Sequence, residues 1–428
     1  MSFNFFTTRC AWEGVAPTAT ELIKTSTNRA HLIWKAFLTA AKLFDAASDA
    51  AESWGATVFR DAPGRGGALR STPKQPANSE RVLVGAEWWL EGKEKALSLT
   101  GELIERGTDT WIEVTNQAQA AKAIGRGARN LVVMGSEGGG LVGDESALVL
   151  LRRVLAVSAE GVRVYVRGGI GPDTAAACIA AGADGVFLDN QMLLASDVGL
   201  PATLKTRLES FNPLDTVCVG PTLGFRYRLF GQVATPIVRE LVGIESKGGC
   251  TEQRLFQAID DATASDYASL DVRKNAWALG QDAAFAAPMA KVSGNTRGIL
   301  QGLYERTNDR LTSLKKEWPF GEGAGIAGIN ETRFPLHQGP MAQVADCPEF
   351  AKNVVDAGSM PWLALANMPT EIAEKLVKDT ATLLGGKPFG AGIIGLDANR
   401  FRDAHIEMLK RERPPFVLVA AGTIEQAQ

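Results

Sequence analysis

Short apolar runs alternate with helical patterns in the middle of the chain. Residues 111–115 are a short strand-like run, WIEVT, and residues 130–135, NLVVMG, are apolar almost throughout, which is typical of a strand buried on both faces. Two further runs of this kind lie at 162–166 and 184–189, and the segments between the runs have helical spacing. Strands and helices that alternate in this way predict parallel βα units.

The last hundred residues repeat the same pattern. Residues 334–340 predict a strand that runs into a turn, and Asp346 with Glu349 three residues later is typical of a helix-capping box. Three more strand-like runs follow, separated by helical patterns, at 361–366, 387–395 and 416–422. Earlier apolar runs, near residue 5 and at 56–61 and 81–87, offer additional strands.

These patterns predict an α/β protein with a TIM (β/α)8 barrel over residues 1–200 and a partly helical connector over 201–330. The alternative is an open, doubly wound sheet, which a G-x-G-x-x-G fingerprint would favour. The nearest candidate, GGIGPD at 168–173, lacks the third glycine. We therefore prefer the barrel, and residues 331–428 form a third zone with βα texture.

Composition and charge exclude several function classes. The 45 basic and 48 acidic residues give a net charge of −3, which offers no electrostatic basis for binding nucleic acid or an anionic membrane. No run of 18 apolar residues predicts a membrane span, and the first residues do not have the pattern of a secretory signal. Five scattered cysteines without a CxxC pair argue for a reducing compartment such as the cytoplasm, and against a zinc site or a disulfide framework.

Glycine-rich turns follow two of the predicted strands. The turn of Gly168, Gly169, Ile170 and Gly171 leaves a strand and enters a helix, so its backbone N–H groups could bind a phosphate. The alternative is a tight βα turn that needs glycine only for its backbone angles.

The other turn, Gly138, Gly139 and Gly140, could lie against a flat ring such as a flavin, or could simply be a permissive loop. Glu137, which precedes it, is a candidate polar anchor or general base, although such residues more often cap a helix or pair with a cation.

Two long segments resemble the nitronate monooxygenase family, formerly called 2-nitropropane dioxygenases, whose members are FMN-dependent (β/α)8 barrels. The first is GSEGGGLVGDES at 135–146 with VRVYVRGGIGPDTAAACIAAGADGVFLDNQMLL at 162–194. The second, RFPLHQGPMAQVADCPEFAKNVVDAGSMPWLALANMP at 333–369, is similar to the opening of the family, where a Gly-Pro-Met turn meets the flavin. In a simple member the opening comes first, whereas here it comes last.

The reversed order is similar to the tandem barrels that are fused into bacterial type I polyketide synthases and related to the enoyl reductase of polyunsaturated fatty acid synthases. The run GQDAAFA at 280–286 matches the connector of that arrangement. The resemblance implies that residues 331–428 are the N-terminal half of a second barrel, truncated after its fourth strand. In that half, Gly339, Pro340 and Met341 would form the flavin-side turn.

Two departures from the family affect the first barrel. Leu141 occupies the position of the family's catalytic histidine, and leucine cannot transfer a proton. Asp189 and Asn190 occupy the place where the family binds the flavin phosphate through Gly-Thr. Two unit charges about 4 Å apart repel by about 4 kcal/mol at an effective dielectric constant near 20, so we expect the first barrel to hold FMN weakly.

The resemblance implies an FMN-dependent oxidoreductase region of a multidomain polyketide or fatty acid synthase. It would reduce an enoyl thioester or oxidise a small carbon acid, with a small or carrier-protein-bound acyl substrate and other synthase domains as partners. The alternative is a degenerate, non-catalytic barrel that acts as a structural or docking module. Leu141 and Asp189 favour the module, and the Gly-Pro-Met turn favours the enzyme. A phosphate-sugar isomerase barrel would not explain that turn.

Two arrangements of the halves remain open. In the tandem arrangement residues 1–110 complete the first barrel, and in the permuted arrangement residues 331–428 dock onto 111–190. We favour the tandem arrangement because the runs at 56–61 and 81–87 would otherwise have no sheet to join. Both arrangements place the two glycine turns on the same rim, since the carboxyl ends of barrel strands share one face.

Overall fold

A computed structural model describes residues 56–59, 81–89, 93–264 and 267–422. The chain divides into two compact units, Met1–Leu311 and Thr312–Gln428, which are described separately below. Within the described ranges no helix is long and apolar enough to cross a membrane.

The first unit contains a parallel sheet, and from its second strand onwards a helix lies between consecutive strands of that sheet. The strands are β1 (Ala56–Phe59), β2 (Arg81–Val84), β3 (Asp109–Val114), β4 (Asn130–Met134), β6 (Arg163–Arg167) and β7 (Gly185–Phe187). The helices are α1 (Lys93–Glu105), α2 (Gln117–Gly125), α3 (Ala147–Val157) and α4 (Pro172–Ala180). The strands pair in the order β1-β2-β3-β4-β6-β7, and every pair is parallel.

The two faces of this sheet have different surroundings because alternate residues of a strand point in opposite directions. On one face, Ile112, Leu131 and Val164 belong to the large core that includes the buried side chains of the helices. The opposite face carries a smaller cluster, which we call the inner-face cluster: Leu83, Trp111, Val132, Tyr165 and Phe187. A sheet with helices on one face and a separate apolar cluster on the other has the layering of a barrel wall.

The predicted parallel α/β architecture is therefore confirmed for the first unit. The runs at 56–61 and 81–87 supply β1 and β2, which join the sheet beside β3, as the tandem arrangement requires. The run near residue 5 lies outside the described residues, and among those described β7 pairs only with β6. Closure of the barrel and the choice between the two arrangements therefore remain predictions.

The predicted connector contains more strand than its sequence indicated. It holds α5 (Ala202–Glu209), α6 (Pro236–Glu245), α7 (Glu252–Ala262), α8 (Ala286–Ser293) and α9 (Thr296–Lys316). It also holds β8 (Thr216–Val219) and β9 (Arg226–Phe230), which form an antiparallel sheet with β5 (Gly140–Val142). The sequence of this segment alone does not indicate the sheet, because the partner strand β5 lies far away in the sequence.

The second unit is a smaller parallel βα layer. Its strands are β10 (Trp362–Ala364), β11 (Gly390–Ile394) and β12 (Phe416–Ala420), and its helices are α10 (Ile326–Ile329), α11 (Pro348–Asp356), α12 (Thr370–Leu384) and α13 (Arg402–Glu412). The predicted strand at 334–340 is reduced to a single parallel bridge between His337 and Met360. Pro335 and Pro340 flank that bridge, and neither has a backbone N–H with which to extend the ladder.

Candidate functional site

Three charged residues lie beyond the inner-face cluster, at the carboxyl ends of their strands. Glu113 follows Trp111 by two residues in β3, and Arg167 follows Tyr165 by two residues in β6. Asp189 comes two residues after Phe187, just past β7. A spacing of two keeps each charged side chain on the same face as the aromatic residue before it.

These three residues form a buried ion triad in which Arg167 is shared by two carboxylates. Its Nε and Nη2 atoms lie 2.9 and 2.6 Å from Oδ2 of Asp189, and Nη1 donates to Oε1 of Glu113. The three side chains are between 2 and 4% exposed. Oε2 of Glu113 also accepts a hydrogen bond of 3.1 Å from the backbone N–H of Ala86.

The triad keeps the guanidinium charged and fixed. Burial alone lowers the pKa of Arg167, but the Coulomb attraction of Asp189 and Glu113 outweighs burial and leaves the pKa raised. Charges taken out of water in this way are stable only when paired, and removing one partner from a buried pair typically costs about 3–5 kcal/mol. The triad therefore links the carboxyl ends of β3, β6 and β7 at the rim of the sheet, across the intervening strand β4.

The two glycine turns meet at this rim, which confirms the prediction that they share one face. Gly168 has φ of +87°, and a Cβ built on it would lie 3.0 Å from the backbone nitrogen of Gly138. Gly171 is the N-cap of α4, and its N–H donates to Oγ1 of Thr174 at 2.6 Å. Glycine is required at position 168 by both its backbone angle and the closeness of its neighbour.

A segment of the predicted connector, residues 276–285, packs against both glycine turns, and we call it the rim segment. A Cβ on Gly139 would lie 2.7 Å from the backbone nitrogen of Gly280, and one on Gly280 would lie 2.6 Å from the carbonyl oxygen of Glu137. The ring of Phe285 lies 3.0 Å from where a Cβ of Gly171 would be. The glycines at this rim therefore allow close contact between parts of the chain itself.

Among the described residues, the carboxylate of Asp282 in the rim segment accepts hydrogen bonds from groups of the rim. Its Oδ1 lies 2.9 Å from Nδ2 of Asn190, and its Oδ2 lies 3.1 Å from Nε2 of Gln191. The backbone N–H of Gly169 also donates to this carboxylate. The orientation of the Gln191 amide is fixed, because its Oε1 accepts from the N–H of Asp189 at 2.7 Å.

Asp282 is a buried acid among charged neighbours. Burial raises its pKa to about 7, the negative charge of Asp189 adds to the increase, and the donors Asn190 and Gly169 together with Arg167 partly offset it. Several polar groups of the unit are buried, and Asp282 lies between the turn at Gly168–Gly171 and the ion triad. The neighbouring carboxylate of Asp189 has one oxygen, Oδ1, that is buried without a hydrogen-bond partner among the described residues.

The remaining predicted residues of the first unit have structural surroundings. Gly140 begins β5, and Leu141 is buried in an apolar cluster with residues of β9 and α6. Glu137 accepts a hydrogen bond of 3.0 Å from the N–H of Ala147, the first residue of α3, so its contacts correspond to the capping alternative. The Ile170 side chain is fully buried, and its carbonyl accepts from Nε2 of Gln191 at 2.8 Å.

The Gly-Pro-Met turn lies in the second unit and is more open. Apart from its two chain neighbours, no heavy atom of the described residues lies within 4 Å of where a Cβ of Gly339 would be, and Met341 is 43% exposed. Pro340 packs against Gly392 of β11, where a Cβ would lie 2.8 Å from its ring. This turn therefore leaves open space beside Gly339 and exposes part of Met341, while its proline anchors it to the sheet.

The first-unit residues do not fit a flavin phosphate in this structure. The N–H of Gly169 and the amide of Asn190, which the sequence assigned to the phosphate, donate to the carboxylate of Asp282. Gly138 and Gly139, which it assigned to the ring, contact Gly168 and Gly280. We therefore assign no chemical step to a flavin at this rim.

Three residues of the site were not singled out from the sequence. Glu113 and Arg167 had a signal, because a charged residue in an otherwise apolar strand-like run is unusual for a buried strand. Asp282 lies in the GQDAAFA run that carried the connector resemblance. No local pattern indicated that its side chain would contact the rim, where it accepts a hydrogen bond from Asn190, about ninety residues earlier in the chain. No group of three or more His, Cys, Asp or Glu in the described ranges could hold a metal ion.

Comparison with known proteins gives one relative by sequence. The chain is 34% identical over 111 residues to (3aS,4S,5R,7aS)-5-hydroxy-7a-methyl-1-oxo-octahydro-1H-indene-4-carboxyl-CoA dehydrogenase of Mycobacterium tuberculosis. The match covers 26% of this chain and 31% of the relative, so it spans less than a third of that protein. No family model matches the chain.

Three solved structures are similar to about half of this chain. FabK from Thermotoga maritima is 21% identical, with a TM-score of 0.46 over 55% of this chain and 70% of that one. A nitroalkane oxidase from Streptomyces ansochromogenes is 21% identical, with a TM-score of 0.38 over 55 and 66%. The enoyl reductase domain of MlnA, from the macrolactin biosynthesis cluster of Bacillus amyloliquefaciens, is 13% identical, with a TM-score of 0.40 over 55 and 76%.

Proposed function

We propose that this chain is part of a flavin-dependent oxidoreductase of the nitronate monooxygenase and enoyl reductase kind, in a multidomain polyketide or fatty acid synthase of the cytoplasm. The first unit is a scaffold, and the second unit presents the Gly-Pro-Met turn to FMN. The observation that carries the proposal is the contrast between two turns. Gly139 is packed on the chain's own backbone, whereas Gly339 has no atom within 4 Å of a Cβ position.

The proposed substrate is an acyl thioester, free or on a carrier protein. The relative from Mycobacterium tuberculosis supports this class, because its name is that of a dehydrogenase of a carboxyl-CoA compound. The order of the family segments supports the synthase context. When bound, the flavin would supply the electrons for reduction of an enoyl thioester. In the first unit, Leu141 lies in an apolar cluster at the position of the family histidine and cannot move a proton.

Comparing riboflavin with FMN tests this proposal. If the phosphate-type turn is filled by Asp282 and only the ring meets the Gly-Pro-Met turn, both flavins should bind the full chain with the same affinity. Titration followed by quenching of flavin fluorescence measures the two dissociation constants. Gly339→Val should abolish both signals, whereas Gly199→Val should not, since Gly199 also has open space around its Cβ position but lies in the first unit.

A docking module is the second candidate, favoured by the filled rim of the first unit. Absence of binding by either flavin would contradict the oxidoreductase proposal and favour the module. Binding of FMN that is much tighter than that of riboflavin would instead contradict the proposal that the chain binds only the ring of the flavin. Titration of the full chain with an acyl carrier protein would test the docking function directly.

A further inference from the structure

The donors that surround Asp282 form a small site of their own. The N–H of Gly169, Nδ2 of Asn190 and Nε2 of Gln191 converge on one point from the turn and from the short helix Asn190–Met192. All three are donors, and the amide of Gln191 cannot turn over without losing its bond from Asp189. Convergent donors at a glycine turn before a helix are the arrangement that binds anions in proteins.

We propose that these donors are an anion seat whose permanent occupant is the carboxyl group of Asp282, and that this internal group excludes phosphate-bearing ligands from the rim. The proposal goes beyond the oxidoreductase function and does not depend on it. The glycines at this rim are of the kind found in phosphate-binding turns. The proposal explains why they need no external ligand, because the carboxyl group of Asp282 from the connector occupies the donors.

The occupant is held too firmly to act as a mobile lid. Trp277 and Leu279, on the approach to Asp282, are about 1 and 0% exposed and belong to the main core of the unit. The N–H of Asp282 donates to the carbonyl of Glu137, and Gly280 lies against the same turn. Displacing the carboxylate would therefore require the removal of two large side chains from the core.

The charges around the seat also oppose a second anion. Arg167 is the cation of the triad, and Glu113, Asp189 and Asp282 are its three acidic neighbours. Arg167 is already paired with the carboxylates of Glu113 and Asp189, which together carry one more charge than it does, so an incoming phosphate would be repelled whether or not Asp282 is ionised. The seat is therefore matched to one carboxylate that is built into the chain.

Removing the carboxylate while retaining its Cβ tests the proposal. In Asp282→Ala the donors lose their partner, and formate or inorganic phosphate should enter the hole. We expect sodium formate and phosphate to raise the Tm of this variant by about 2–4 °C relative to chloride at equal ionic strength. The wild-type chain and Asp282→Asn, which keeps the shape of the side chain, should show no such anion-specific rise.

Two outcomes would overturn the proposal. An equal rise in Tm for the wild-type chain would mean that the seat accepts anions with Asp282 in place. No rise in Asp282→Ala would mean that the donors are not an anion seat. Asp282→Ser, which leaves a smaller hole, serves as the second variant if Asp282→Ala does not fold. Because no flavin is used, the result is independent of whether the chain binds flavin.

Discussion

Replacing Asp282 with asparagine should make the stability of the first unit less dependent on pH. Burial raises the pKa of Asp282 from 3.8 to about 7 in the folded protein. At acidic pH the acid is neutral in both states. Between about pH 4 and pH 7 it ionises in the unfolded chain while the folded protein still holds the proton, so the unfolded state gains stability as pH rises. Asparagine resembles the neutral acid at every pH.

The size of the effect follows from the shift in pKa. A shift from 3.8 to about 7 is about three units, and at 1.36 kcal/mol per unit it corresponds to about 4 kcal/mol. The wild-type chain should lose this amount between about pH 4 and pH 7 through this group alone. The stability of Asp282→Asn minus that of the wild type should therefore rise with pH over the same window and level off above it.

Urea unfolding of both proteins from about pH 4 to pH 8, followed by tryptophan fluorescence, measures the difference in unfolding free energy. The other titrating groups cancel in the comparison. Asp309→Asn is the matched control, because it makes the same chemical change at an exposed position on α9, outside the rim. A flat difference for Asp282→Asn, or one that falls with pH, would refute the reasoning by showing that folding does not raise the pKa of Asp282.

Three further variants test the rim and the second unit. Arg167→Leu leaves two buried carboxylates without their cation and should lower the unfolding free energy by about 3–5 kcal/mol in urea titrations. The control is Arg153→Ala at a half-exposed position, which should change the unfolding free energy by less than about 0.5 kcal/mol. Gly139→Ala places a Cβ against backbone atoms and should lower the unfolding free energy by about 1–3 kcal/mol in the same assay. Gly101→Ala, in α1 with open space around its Cβ position, should be neutral or stabilising. Equal effects of the two variants would contradict the close packing at Gly139. Burial lowers the pKa of His405, so the second unit should lose stability as pH falls below about 6.5, and His405→Gln should remove that loss in thermal unfolding scans.

The strands were predictable where their signal is local. The apolar runs at 111–115 and 130–135 became β3 and β4, because a parallel strand that is buried on both faces must be apolar along its length. The prediction for 334–340 was wrong because ladder formation needs N–H donors that two prolines lack. The common face of the two glycine turns also followed from topology alone, since parallel strands end at one edge.

The chemistry of the rim was less predictable because it depends on contacts between distant residues. Arg167 pairs with Glu113, 54 residues earlier, and with Asp189, 22 residues later. From the sequence we expected the charge of Asp189 to repel a phosphate. In the structure this carboxylate is paired with the guanidinium of Arg167. A residue's role at such a site is determined by its neighbours in space, and single-sequence patterns report only neighbours along the chain.

The rim segment has a consequence for the order in which the protein is made. Asp282 meets Asn190 from 92 residues further along the chain, so a ribosome releases the whole sheet well before it releases the residues that complete it. During that interval the donors of the seat face water, and the core lacks Trp277 and Leu279. The nascent sheet would then be open to small anions that the finished protein rejects, and a gene fragment that stops near residue 200 would preserve that immature state.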